Sequence, residues 1–144
     1  MKNKMIKETK EKLKKYGRMK DFILVRRKEL EVQERLLSLE EDELSKKRIL
    51  RQIEKLQLEI EEVEKDIIAI DKGLSHLNPI SSKIIHMKYM KNEKWVAVAL
   101  NVGYGQTRCR ELGRDAVMII GEFLYGIKIN QDLPLVSGAT YYYA

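Results

Sequence analysis

A single heptad seam constrains this chain more than any other feature. Ile49, Ile53, Leu56, Ile60, Val63, Ile67, Ile70, Leu74 and Leu77 alternate spacings of four and three residues without a fault. Apolar residues at that rhythm line one edge of an α-helix, and a run of about four heptads predicts a coiled-coil strand. Glu54, Lys55, Glu59, Glu61, Glu62, Glu64 and Lys65 keep the other faces in water. The seam needs a partner. It can fold back on a helix over 19–39, whose stripe is Phe22, Ile23, Arg26, Leu30, Gln33 and Leu37, or it can pair with the same helix of a second chain. Short loop closure favours the hairpin. A lone two-helix hairpin buries little surface, so dimerisation on top of it is expected.

The rest of the arm follows from local signals. Residues 3–16 predict a lysine-rich amphipathic helix with Met5, Ile6 and Leu13, and Gly17 predicts a break or bend after it. The polar run 38–43 predicts a turn, with Asp42 or Ser45 capping the helix that follows. Asn78-Pro79 ends the seam helix and starts the next, because proline at the first helical position lacks only an N–H that would be unpaired anyway. Helices are predicted over 79–90, 93–101 and 105–124, with a short loop at Lys91-Asn92. The organisation expected is a helical arm over 1–76, a helix-turn-helix domain over 77–126 and a tail over 127–144 that carries Tyr141, Tyr142 and Tyr143. The fold class is all-α: a long N-terminal coiled coil or hairpin followed by a C-terminal helix-turn-helix domain.

Charge sharpens the picture. The net charge is +6 among 144 residues, 35% of them charged, and only two prolines interrupt the chain. Lys2, Lys4, Lys7, Lys10, Lys12, Lys14, Lys15, Arg18 and Lys20 crowd the first twenty residues against Glu8 and Glu11. The middle is slightly acidic, and Lys83, Lys88, Lys91, Lys94, Arg108, Arg110 and Arg114 make the C-terminal part basic again. Two basic ends suit phosphate contacts, although the N-terminal lysines fit a solvated helix face equally well. The single cysteine fits a reducing compartment, no apolar run is long enough to span a bilayer, and no secretory signal opens the chain. The expected location is therefore the cytoplasm, without a membrane partner. His76, His86 and Cys109 lack metal-ligand spacing, so no metal and no cofactor is expected. No glycine-rich phosphate loop, nucleophile elbow or triad order appears, so no catalysis is expected either.

The segment from Trp95 to Leu112 carries the functional expectation. Trp95, Val98 and Val102 form the inner face of a short helix, Ala99 permits a close crossing, and Gly103 supplies the turn. Cys109, Leu112, Ala116 and Val117 form the inner face of a second helix, with Cys109 a small core hydrophobe rather than a nucleophile. Gln106, Thr107, Arg108, Arg110, Glu111 and Arg114 point outward, as a helix laid in a DNA major groove requires. A plain three-helix bundle without a DNA role is the competing reading.

Trp95, Val98-Ala99, Val102-Gly103, Arg108, Arg110, Leu112 and Ala116-Val117, after Leu77-Asn78-Pro79, Ile84-Ile85 and Tyr89, resemble region four of bacterial sigma factors without a gap. Gly105 departs from the usual capping serine there, and Leu100 from a polar residue, which suggests a neighbouring element against Leu100. A long coiled helix before such a unit, with the ending Phe123-Leu124-Tyr125-Gly126, resembles phage transcriptional regulators of the ArpU/RinA type. The resemblance implies base contacts from Gln106, Thr107, Arg110 and Glu111, and phosphate contacts from Lys88, Lys91, Lys94, Arg108 and Arg114. It implies a phage or prophage late-gene activator in a bacterial host cell that binds double-stranded DNA, with the coiled coil expected to dimerise it and to offer a surface to RNA polymerase. Two alternatives stand beside it: a small-terminase-like packaging component, and a coiled-coil scaffold that never touches DNA.

Overall fold

A computed structural model describes residues 2–126. The 127–144 tail and its three tyrosines lie outside the described residues. The chain is all-α. Helix α1 spans Lys2–Leu39 and α2 spans Glu43–Ser75. A short α3, Pro79–Ile84, runs on as a π-helical turn over Ile85–Met90, and α4 (Trp95–Val102) and α5 (Gln106–Tyr125) follow.

The seam closes within the chain: α1 and α2 form a hairpin. Asp42 caps α2, its Oδ2 accepting the Ser45 N–H at 2.9 Å. That bond, with a second from the Ser45 hydroxyl, holds the Asp42 carboxyl below its ordinary pKa. The expected break at Gly17 is absent, and α1 continues through it as regular helix. Flanking helix-formers over 10–16 and 19–23 outweigh the cost of one glycine, about 1 kcal/mol relative to alanine.

Contacts divide the described chain into two compact units, and the division is not the expected one at residue 77. One unit holds 16–67, the body of the hairpin, and the other holds the first turns of α1, up to Lys15, together with everything from Ile68 onward. In the hairpin unit Ile23, Ile53, Leu56 and Ile60 are buried, Ile49, Val63 and Ile67 half-buried. Arg26 bonds Glu59 at 3.0 Å and Arg27 pairs with Glu64, both across the two helices.

In the other unit α5 is gripped along its second half. Thr9 and Leu13 of α1 are wholly buried, as are Ile70 of the seam and Val117 and Ile120 of α5. Leu74 of the seam is half-buried. The last seam residues thus serve the C-terminal helices. Two glycines make this possible: a Cβ on Gly73 would stand 2.9 Å from the Ile120 Cα, and one on Gly121 would stand 2.9 Å from the Thr9 Oγ1. Thr9 turns its hydroxyl back onto the Met5 carbonyl at 2.7 Å, so its oxygen is satisfied in the core.

Candidate nucleic-acid interface

The candidate surface is built on a small apolar core. Ile84, Val98 and Cys109 are fully buried, with Ile80, Met87, Tyr89, Trp95, Ala99, Val102 and Leu112 packed around them. Asn78 starts the assembly by capping α3, its Oδ1 taking the Ser81 N–H at 2.8 Å. The helix then widens where a uniform α-helix over 79–90 was expected. The Lys91 N–H donates to the His86 carbonyl at 3.0 Å and the Glu93 N–H to the Met87 carbonyl at 2.9 Å. The second bond keeps Glu93 out of the next helix, so α4 begins at Trp95 after an extended Lys94. Asn92 absorbs the reversal at φ 56°, in the left-handed region that Asn tolerates better than most residues.

The turn between α4 and α5 has the expected form. Gly103 sits at φ 88° and returns its N–H to the Ala99 carbonyl at 2.9 Å. A side chain at that φ would be strained, which explains the glycine. Gly105 is extended and caps α5 with its carbonyl alone, which accepts the Cys109 N–H at 3.0 Å. The Cys109 thiol points inward, 3.8 Å from the Tyr104 carbonyl.

With Cys109, Gly113, Ala116 and Val117 turned inward, the opposite side of α5 is left to water. Gln106, Thr107, Arg108, Arg110, Glu111 and Arg114 are all exposed. Lys91 and Lys94 are exposed beside α4, and Lys88 is half-buried on the π turn. Arg108 and Glu111 approach to 3.8 Å, a loose pair on an open face. Leu100 is 81% exposed, so no described element covers it, contrary to the neighbour its apolar character suggested. Its position on the outer side of α4, one turn before Gly103, keeps it clear of the core face that carries Val98 and Val102.

Cations gather around two aromatic rings. Tyr89 meets Trp95 edge-on, centroids 6.1 Å apart at 80°. A Cβ on Gly113 would lie 3.1 Å from the Tyr89 hydroxyl and 3.2 Å from the Trp95 ring, so the glycine admits both aromatics beside α5. Burial pushes the Tyr89 phenol above its ordinary pKa. Lys88 Nζ stands 5.3 Å and the Arg110 guanidinium 5.8 Å from the Trp95 centroid, and Lys10 Nζ 5.8 Å from that of Tyr89. Asn3, Ile6 and Lys10 of α1 face Arg110 and Arg114 across a groove of about 390 Å³ floored by the two rings. Sequence reasoning missed the α1 contribution. The signal available was the stripe Asn3, Ile6, Lys10 running into Leu13 at helical spacing, and a mid-helix glycine at 113 marking a close approach.

Compared with protein-family models, curated proteins and solved structures, the chain matches none. What this surface does rests on its own chemistry. Among the described residues no cluster of three or more His, Cys, Asp or Glu side chains is placed to hold a metal, and no helix is long and apolar enough to cross a membrane.

Proposed function

We propose that this protein binds double-stranded DNA by laying α5 in the major groove, and that it acts as a sequence-specific transcriptional regulator. One observation carries the reading. The first three turns of α5 present Gln106, Thr107, Arg108, Arg110, Glu111 and Arg114 to solvent, while the same helix is anchored through Cys109, Leu112 and Gly113. A helix held rigidly by one face and polar on the other suits the reading of base edges, since the backbone positions from which its side chains reach are fixed beforehand. Gln106 and Thr107 lie on the first turn, where a recognition helix enters deepest; Gln suits adenine, and the Thr methyl suits thymine. Lys91, Lys94 and Arg114 supply phosphate contacts.

The regulator reading, with its late-gene activator and polymerase contact, is supported by the ungapped region-four-like pattern over 77–120 and the long helices before it. Dimerisation is part of the proposal. The seam is occupied inside one chain, so a dimer through the hairpin would use its exposed row Val25, Val32, Leu36 and Leu39, residues 46–78% exposed. A packaging component would use the same head in a larger ring.

Selection of bound sequences from random duplex DNA, with the particle mass measured on the same sample, separates these readings. A dimer on one recurrent site is expected. A large ring with little sequence preference would replace regulation by packaging, and absence of duplex binding would remove the DNA role altogether. Gln106→Ala is expected to relax preference at one base pair and to weaken the selected site by about 1–3 kcal/mol. Val32→Glu is expected to convert the dimer to monomer in a light-scattering measurement.

A further inference from the structure

We propose that the groove between the start of α1 and the middle of α5 grips the DNA sugar-phosphate backbone beside the site read by α5, with Lys10, Arg110 and Arg114 as the phosphate ligands. This rests on the DNA reading above and extends it in two ways. It makes the N-terminal helix part of the interface, and it gives Arg110 a backbone role rather than a base-reading one.

The electrostatics point to an anion. Lys10, Arg110 and Arg114 line one groove, and none of its seven lining residues is acidic. The acids within two residues of the lining are Glu8, Glu11, Glu93, Glu111 and Asp115; none lines the groove, and Glu111 is turned to Arg108. Lys88 adds a fourth cation at the Trp95 ring. Cations gathered without a counter-carboxylate repel one another. A groove with a low-dielectric aromatic floor also focuses their field outward. A bound phosphate relieves that repulsion, and a chain of phosphates does so most effectively.

The geometry favours a backbone over a base. The ring faces are already occupied, Trp95 by Lys88 and Arg110 and Tyr89 by Lys10, at cation–π distances of 5.3–5.8 Å. A base stacking on either ring would compete with these cations. The rings instead hold the cationic heads in place, which reduces the entropy lost when each head meets an oxygen. The Arg110 guanidinium stands against the Trp95 ring, and its planar fork suits a phosphate. On α1, Asn3, Ile6 and Lys10 share one stripe, and Asn3 adds a neutral donor at the rim. Burial of Thr9 and Leu13 on either side of Lys10 fixes that stripe to the same compact unit as α5.

Salt titration of DNA affinity tests this. A fluorescein-labelled duplex of random sequence and one carrying the selected site are each titrated with the full-length protein over a range of NaCl. Each phosphate contact contributes about 0.9 to the slope of log affinity against log salt. Lys10→Gln and Arg114→Gln are each expected to reduce the slope by about that amount and to weaken both duplexes several-fold alike. Lys47→Gln, an exposed lysine of the hairpin unit, is expected to change neither. Arg110→Gln is expected to behave as Lys10→Gln does, with base preference intact. Unchanged slopes for Lys10→Gln and Arg114→Gln while the wild type binds would overturn the groove and leave α5 as the reader. Loss of preference at one base pair with an unchanged slope in Arg110→Gln would return that residue to base reading and overturn its part of the proposal. A wild type that binds neither duplex defeats the DNA reading first and the groove with it. All of these side chains are exposed, so the variants are expected to keep the wild-type melting curve.

Discussion

The hairpin body of residues 16–67 and the unit formed by 2–15 with 68–126 reach stability by different routes. The hairpin buries a short list of large side chains, Ile23, Ile53, Leu56 and Ile60, and leaves Leu24, Val25, Val32, Leu36, Leu39, Leu44, Leu50 and Leu58 exposed. It ties its helices with the Arg26–Glu59 and Arg27–Glu64 pairs. The other unit has a deeper core, with Leu13, Ile70, Ile84, Ile85, Val98, Val117 and Ile120 at or near zero exposure. Its helices approach where side chains are missing, at Gly73, Gly113 and Gly121. One region is held by what its sequence repeats, the other by what single positions leave out.

Core truncations should expose that difference most strongly. Leu56→Ala in the hairpin and Ile84→Ala in the other unit are each expected to cost about 2–5 kcal/mol. Amide exchange should locate the damage: in 16–67 for the first variant and in α3–α5 for the second. Protection lost evenly across both regions in either variant would show that the two melt as one. Gly73→Ala comes next. Its new methyl would meet the Ile120 backbone at 2.9 Å, and overpacking of this kind costs about 1–3 kcal/mol. A melting temperature equal to wild type would show that α2 and α5 separate easily.

The smaller effects have the opposite or a conditional sign. Gly17 lies inside α1 with open space around an added Cβ, so Gly17→Ala is expected to raise stability by roughly 1 kcal/mol in urea unfolding. Asp42 tests the hairpin turn through pH. Its folded pKa is depressed by the two Ser45 bonds, so its stabilisation is complete above the unfolded carboxyl pKa and is lost as pH falls through the lower folded value. Asp42→Asn keeps an equally good cap and should remove that part of the acid-induced loss, read as a flatter melting-temperature profile on the acid side.

The hairpin was legible in the sequence because a heptad repeat states its own geometry. The four–three spacing from Ile49 to Leu77 names both the helix and its buried edge, and the stripe from Phe22 to Leu37 names its mate. The crossing of α4 and α5 was legible for a related reason: Gly103 and the inward set from Trp95 to Val117 are local signals within two short helices. Other features were not legible. Gly17 suggested a break because propensity favours one, yet a single glycine costs less than the packing on both sides recovers. The attachment of Thr9 to α5 joins residues more than a hundred positions apart, and a local stripe on α1 marks a buried face without naming its mate. The lysines of residues 2–20 left a solvated face and a phosphate arm equally open, because a lysine stripe is the same for both until the opposite wall of the groove is known.

The π-helical turn at 85–90 has a consequence for how this surface tolerates change. A wide turn shifts the azimuth of the residues within it, because their N–H groups reach back five residues rather than four. Lys88 and Tyr89 owe their aim to that shift. Loss of one residue between Ile85 and Met90 would let the segment relax into an ordinary α-helix, with helical content nearly unchanged, and would swing the Tyr89 ring off Gly113. This surface is therefore sensitive to chain length at this point as well as to composition, because a length change here would take the aromatic support from its cationic face.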